Sequence, residues 1–273
     1  MAGLGQTPRS APAQRRAPAW LVVLDQEVRD LWLGGRGLML TFAFSILLSV
    51  IGYLVATNRA LNFLEQRESV NLTLQVAIAV GALLSLLTAA DSISGERERG
   101  TLETLLLSPV SRRQVSGGKF LAALSLWVAA LAITAPYTWF LGRGIGIVDD
   151  ALVSGLVVGT LLAIFLAGFG IVVSLYAASN RISLSLSLFV LLALFAPTQL
   201  PSSAQKGWAG ELMLRINPLT AGEHYVGKIV VSAHSWADDV SWLASPIVAA
   251  ILFAALALML GTRQIRLRGG ISG

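Results

Sequence analysis

Residues 91–119 read DSISGERERGTLETLLLSPVSRRQVSGGK, and the runs on either side of them, about 72–90 and 120–141, are largely apolar. A charge-dense segment between two stretches long enough to cross a bilayer as helices sets the class of the protein. Working outward, four more such runs follow, at about 38–57, 151–178, 183–200 and 243–262. In lipid the backbone must satisfy its own hydrogen bonds, so helices are expected. The runs do not alternate as the strands of a membrane barrel would. Composition agrees. The chain is 55% hydrophobic and only 13% charged, with mean hydropathy +0.72, whereas a soluble domain carries about a quarter charged residues. The expected fold is an all-α polytopic membrane protein with six transmembrane helices in one domain, 18–268. Residues 1–17 are polar and rich in Pro, Ala and Arg, and are expected to be a disordered tail. They do not run into a short apolar core with a small-residue cleavage site, so the first span is expected to act as the insertion signal.

Net charge is +5. Position, not nucleic acid, explains it. With the N-terminus in the cytoplasm, the inner segments hold Arg9, Arg15, Arg16, Arg29, Arg36, Arg97, Arg99, Arg112, Arg113, Lys119, Arg181, Arg263, Arg266 and Arg268. The outer segments hold Arg59, Arg67, Arg143, Lys206, Arg215 and Lys228, the remainder of the chain's 20 Lys and Arg. That asymmetry is the positive-inside bias. Six spans then put both termini in the cytoplasm.

Several chemistries are excluded. The chain has no cysteine, hence no disulfide, thiolate metal site or cysteine nucleophile. Its two histidines, His224 and His234, belong to no H-E-x-x-H motif, and no G-x-S-x-G occurs. Glu223, His224, Asp238 and Asp239 match no known metal cage and are expected to be solvated loop residues. Gly117-Gly118-Lys119-Phe120 lacks the first glycine and the hydroxyl of a P-loop, so this chain is not expected to bind ATP in that manner. The spans hold almost no ionisable residues, against an ion-coupled carrier. No catalytic, cofactor-binding or metal-ligating residue is assigned.

Ahead of the first span, WLVVLDQEVRDLW (20–32) places Trp20, Leu21, Leu24, Val28, Leu31 and Trp32 within an arc of ~120°. Asp25, Gln26, Arg29 and Asp30 lie on the other face. This predicts an amphipathic helix, lying at the lipid headgroups or packed on the inner loop. Within spans, Gln75, Ser85, Thr88, Ser183, Ser185 and Ser187 are polar but uncharged. They serve helix–helix hydrogen bonds or contact a transported solute. Gly155, Gly159, Ala163 and Ala167 form a small-residue row that admits another helix, from this chain or from a second copy. Pro136 is a candidate kink. The turn between spans 4 and 5 is expected at Ser179–Ile182. Residues 201–242 are the largest outer segment, read either as short helices dipping into the outer leaflet or as an irregular surface loop.

The charged segment divides at Pro109. Leu102, Leu105 and Leu106 give one apolar face, Glu96, Arg97, Glu98, Arg99 and Glu103 a polar one, and Gly100 allows a bend. Ser111 and Gln114 stand at the spacing of a capping box, which predicts a fresh helix start. Alternating signs suit docking to a charged protein surface. The alternative is a solvated loop, which accounts for Arg112, Arg113 and Lys119 but not for the acids.

The run GERERGTLETLLLSPVSRRQVSGGKF resembles the signature of ABC-2 type permeases, the membrane subunits of ATP-binding-cassette transporters. The six-span plan, the helix carrying EVRD and the INPL stretch at 216–219 are similar to that family too. The matching positions are Glu96, Arg97, Glu98, Arg99, Gly100, Thr101, Glu103, Ser108, Pro109 and Lys119. The resemblance implies a coupling helix between spans 2 and 3 that sits in a cleft of a separate ATPase subunit. It implies two such ATPases, which hold ATP and Mg, and a second permease copy, identical or similar, with spans 2 and 5 lining the path. Gln75, Ser85, Thr88, Ser183 and Ser187 then become pathway candidates. The expected role is export across the inner membrane of a prokaryote. A mechanical relay to an outer partner bound at 201–242, with no transport, is the alternative.

Overall fold

The computed structural model describes residues 19–57, 63–102, 110–199 and 207–264. The tail 1–17, Glu103, Leu105, Leu106, Ser108, Pro109 and the basic run after Gln264 lie outside them. Helix α1 (Ala19–Leu33) turns at Gly34 and Gly35 into α2 (Arg36–Thr57). Then α3 (Phe63–Ser92) leads into the short α4 (Ser94–Arg99). Three long helices follow, α5 (Arg112–Gly142), α6 (Val148–Tyr176) and α7 (Asn180–Phe195), the last extended by a 3-10 turn at Ala196–Gln199. Beyond them come α8 (Trp208–Ile216), α9 (Pro218–Val230), a 3-10 turn at Val240–Leu243 and α10 (Ala244–Gln264). No strand occurs among the described residues. Six helices are long and apolar enough to cross a membrane: α2, α3, α5, α6, α7 and α10. The all-α, multi-pass architecture expected from hydropathy is the one observed.

Helix limits differ from the apolar limits. A helix does not stop where its hydrophobicity stops if its end groups find partners. α5 begins at Arg112, well before residue 120. Ser111 Oγ accepts from Gln114 N at 3.3 Å, and Gln114 Oε1 accepts from Ser111 N at 3.0 Å. Both bonds of the predicted capping box are present. α5 also runs through Pro136 without interruption. The turn expected at Ser179–Ile182 is shorter than expected. Ser179 is the N-cap of α7, accepting from Ile182 N at 3.3 Å, and Asn180 onward is already helical. α3 starts at Phe63, far ahead of residue 72, so its first turns carry Glu65, Arg67 and Glu68.

α6 is the centre. Of its apolar window 61% is buried, against 17% for each of α2, α7 and α10. Those outer helices turn Leu38, Phe42, Ile46, Phe189, Leu192, Val248 and Ile251 outward, as a lipid-facing surface does. The small-residue row of α6 packs inside this chain. A Cβ on Gly155 would lie 2.6 Å from Leu74 Cδ1, and one on Gly159 2.2 Å from Trp127 Cη2. Only residues without a side chain let α3 and α5 come so close to α6. Trp127, wedged there, donates its indole N–H to Thr160 Oγ1 at 3.0 Å.

Within 207–242 the chain forms α8, α9 and a 3-10 turn, with turns and coil at 231–239, rather than an irregular loop throughout. INPL makes the start of α9: Asn217 Oδ1 accepts from Leu219 N (3.0 Å) and Thr220 N (3.4 Å), and Pro218 occupies the first turn, where its missing N–H has no cost. Asn217 Nδ2 also donates to Leu194 O at 2.7 Å, tying α9 to the end of α7. α9 buries Leu219, Tyr225, Val226 and Ile229, and Gly222 meets Val158 of α6. It therefore lies beside the spans.

Candidate functional site at the α4 end of the bundle

The charges of the GERER run do not stand free. α4 is a single short helix closed by Gly100 in the left-handed region (φ 72°). Gly100 N donates to Arg97 O at 3.4 Å and Thr101 N to Glu96 O at 3.1 Å, the paired bonds of a Schellman end that glycine favours. This places the four charges of residues 96–99 around one turn, and each reaches a different element.

Glu96 bonds Lys119 of α5. Lys119 Nζ also donates to Glu27 Oε1 of α1 at 2.7 Å, and the Lys119 side chain is 1% exposed. One buried ammonium thus joins three helices. Burial pushes the Glu27 carboxyl above its usual range, with Lys119 only partly offsetting it. Arg97 donates to Ala177 O (2.7 Å) and Leu175 O (3.1 Å). It serves the orphan carbonyls at the C-terminal end of α6, where a cation is favoured. Glu98 Oε2 accepts from Asn180 N at 3.2 Å, an acid at the N-terminal end of α7, again the favourable sign. Arg99 Nη1 lies 3.8 Å from Asp91 Oδ1.

Asp91 is the second node. It is 5% exposed and sits in the last turn of α3, where the helix dipole disfavours an acid. Arg36 Nη1 of α2 at 2.5 Å and Asn180 Nδ2 of α7 at 2.6 Å compensate it. Ser174 Oγ accepts from Ile93 N (3.1 Å) and Ser94 N (2.8 Å). It fills the break between α3 and α4. The cluster therefore links α4 to α1, α2, α3, α5, α6 and α7. Beside it a cleft of about 710 Å³ opens between α1 and α4, lined by Gln26, Asp30, Thr88 and Thr101 among others.

The residues facing inward on α1 are not those of the expected arc alone. Val23, Glu27 and Leu31, spaced by four, turn inward, Val23 and Glu27 meeting Gly118 and Lys119 of α5, while Trp20 and Leu21 are 43% and 39% exposed. α1 crosses α5 at Gly118, where a Cβ would come within 2.6 Å of Val23 Cγ1. Glu27, Asp91, Arg36 and Asn180 were not singled out by sequence reasoning. The signal for Glu27 was there: an acid in line with Val23 and Leu31 needs a buried counter-charge. Lys119, at the threshold of an apolar run, is that counter-charge. Asp91 and Asn180 carry no comparable local signal.

The pathway candidates are not brought together. Gln75 lines a cleft near α9 at the opposite end, and Thr88 lines the cleft at the α4 end. Ser85, Ser183 and Ser187 are fully buried. Ser183 Oγ donates to Ala90 O at 2.7 Å, a bond between α7 and α3, and Ser85 Oγ donates to Gly81 O at 3.3 Å. Ser187 Oγ and Thr88 Oγ1 are buried without a hydrogen-bond partner among the described residues. Glu223 and His224, expected as solvated loop residues, lie on α9. Among the described residues no three His, Asp or Glu are grouped to hold a metal ion.

No curated protein matches this chain significantly. A family described as ABC-2 family transporter protein matches residues 21–264, a span that includes nearly all of α1, the ion cluster and every membrane helix. The chain belongs to that family and is a multi-pass membrane permease subunit of an ABC transporter.

Proposed function

We propose that this chain couples ATP hydrolysis by a separate ATPase to export of a solute, with α4 and the residues after it as the coupling element. Two permease copies and two ATPases make the working unit. It resides in the inner membrane of a prokaryote, with both chain ends in the cytoplasm. The observation that carries the reading is the wiring of α4. Its exposed end, Glu98 to Thr101, offers a surface to a partner, while Glu96, Arg97, Glu98 and Arg99 each bond a different part of the bundle. A push on α4 from an ATPase would be passed directly to α5, α6 and α7. Nucleotide then biases a two-state bundle, since the partner binds one arrangement of α4 better than the other. The chain needs no ATP or Mg of its own for this role.

Absence of cysteine makes the test clean. Thr101→Cys introduces one thiol at an exposed position. It should cross-link to a co-expressed partner ATPase and be labelled from the cytoplasmic face. Glu98→Lys with Glu103→Lys should remove substrate-linked ATPase stimulation while leaving the subunit inserted. Labelling of Thr101→Cys from the outer face, or normal stimulation in the double variant, defeats the assignment.

A further inference from the structure

At the end opposite α4, one side of α9 is polar. Thr220, Glu223, His224, Gly227 and Lys228 recur at three- and four-residue steps, so they share one face, while Leu219, Tyr225, Val226 and Ile229 bury the other. With Gln75 of α3 they line an open cleft of about 400 Å³. Glu223 and Lys228 carry opposite charge types on one wall, five residues or about 7.5 Å apart along the helix axis. They do not pair with each other, and neither has a hydrogen-bond or ion-pair partner among the described residues. Lys228 is not needed as a helix cap. Arg67 Nη1 of α3 already donates to Val230 O (3.2 Å) and Val231 O (3.3 Å) at that end. A half-buried carboxyl and a half-buried ammonium, separated and both unanswered, lack counter-charges that a ligand can bring.

We propose that the α9 cleft binds a zwitterionic group, its amine at Glu223 and its phosphate or carboxylate at Lys228, with Gln75 hydrogen-bonding between them. The chemistry fits the headgroup of a zwitterionic phospholipid or a free zwitterionic solute. The site does not rest on the coupling reading, because the permease alone contains it.

Burial holds the Glu223 carboxyl up at about 7. An entering amine favours the ionised form, so binding expels a proton. The surrounding ionisable groups are otherwise engaged. Arg67 serves the α9 carbonyls, Arg215 pairs with Glu211 and stacks on Trp242, and Asp239 pairs with His234. His224 stacks on Trp242, and burial together with Lys228 holds its pKa down. Glu223 therefore sets the pH response.

The probe is glycerophosphoethanolamine, whose amine and phosphodiester keep their charges between about pH 6 and pH 8. Titrated into the full-length permease, it should bind saturably. Its affinity should rise about tenfold between pH 6 and pH 8 as the ionised fraction of Glu223 climbs from about a tenth to about nine tenths. Glu223→Gln should weaken binding at least ~10-fold at pH 8 and flatten the pH response. Lys228→Met should weaken it by a similar factor, and ethanolamine or inorganic phosphate alone should bind far less well than the probe. Unchanged melting temperatures at pH 6, where most Glu223 is neutral, show that both variants are folded. In nanodiscs of phosphatidylethanolamine, a headgroup occupant would block the soluble probe, whereas phosphatidylglycerol nanodiscs would admit it. Equal binding in both assigns the site to a free solute. No saturable binding to the wild type, affinity independent of pH, or equal affinity in wild type and both variants overturns the proposal.

Discussion

Replacing Lys119 by methionine removes the charge at the hub of the ion cluster while keeping the length and the apolar stem of the side chain. The Lys119 side chain is 1% exposed and its ammonium holds both Glu27 and Glu96. The second oxygen of Glu96 is buried with no hydrogen-bond partner among the described residues. The variant therefore leaves two partly buried carboxylates with no cation between them. Removing one side of a buried ion pair costs about 3–5 kcal/mol. For a chain of this size each kcal/mol moves the melting midpoint by about 2–4 °C, so the expected fall is on the order of 10 °C. Tryptophan fluorescence of the purified chain in detergent reads it. Acidity supplies a second signature. Burial already raises the Glu27 pKa, and losing Lys119 raises it further. An acid whose folded pKa lies above its unfolded value lends stability below the unfolded value and loses it as pH rises through the folded one. The deficit of Lys119→Met should therefore be smallest near the ordinary carboxyl value of 4.5 and grow toward neutral pH. Removing all three charges together, Glu27→Gln with Glu96→Gln and Lys119→Met, should recover most of the loss, because deleting a whole buried ion group is close to neutral. A Lys119→Met chain that melts within about 2 °C of wild type, or a triple variant no more stable than the single one, would refute the reasoning.

Three further outcomes are expected. Gly159→Ala sets a Cβ 2.2 Å from Trp127 Cη2, so it should destabilise by about 1–3 kcal/mol through overpacking; Gly144→Ala, where nothing lies within 4 Å, should melt as wild type. Asn217→Ala loses the cap of α9 and the bond to Leu194 O, which should lower stability by about 1–2 kcal/mol in the same melt. Glu223 has a folded pKa of about 7 against a usual 4.5; its contribution is complete below the lower value and fades as pH rises through the higher one, so wild type should lose stability between pH 6 and pH 8 and Glu223→Gln should not.

Much of this protein is written locally. Six apolar runs in one chain leave the backbone no choice but helix, since lipid offers no hydrogen-bond partner. The Ser111–Gln114 capping box and the αL position of Gly100 are also local, because each bond closes within a few residues. The capping box was legible from spacing and residue type alone, as was the docking of Gly155 and Gly159 against some other helix, whereas Gly100 signals in sequence only that a bend is allowed. Partner choice was not. The alternating signs of Glu96 to Arg99 are compatible with a surface facing a second protein or with bonds into the same bundle, and the string of letters treats these alike. Packing places Lys119 behind Glu96, the α6 carbonyls beside Arg97 and the first amide of α7 beside Glu98. Those contacts join residues some 23 to 82 positions apart, a separation over which no periodic pattern carries information. The same holds for Glu223. A glutamate after Ala-Gly in a short polar stretch looks solvated, and only the packing of α9 into the bundle, in a cleft shared with Gln75 of α3, takes water away from it. Charge in this chain is assigned by residue type, but what each charge is worth depends on the low-dielectric surroundings that tertiary packing alone creates.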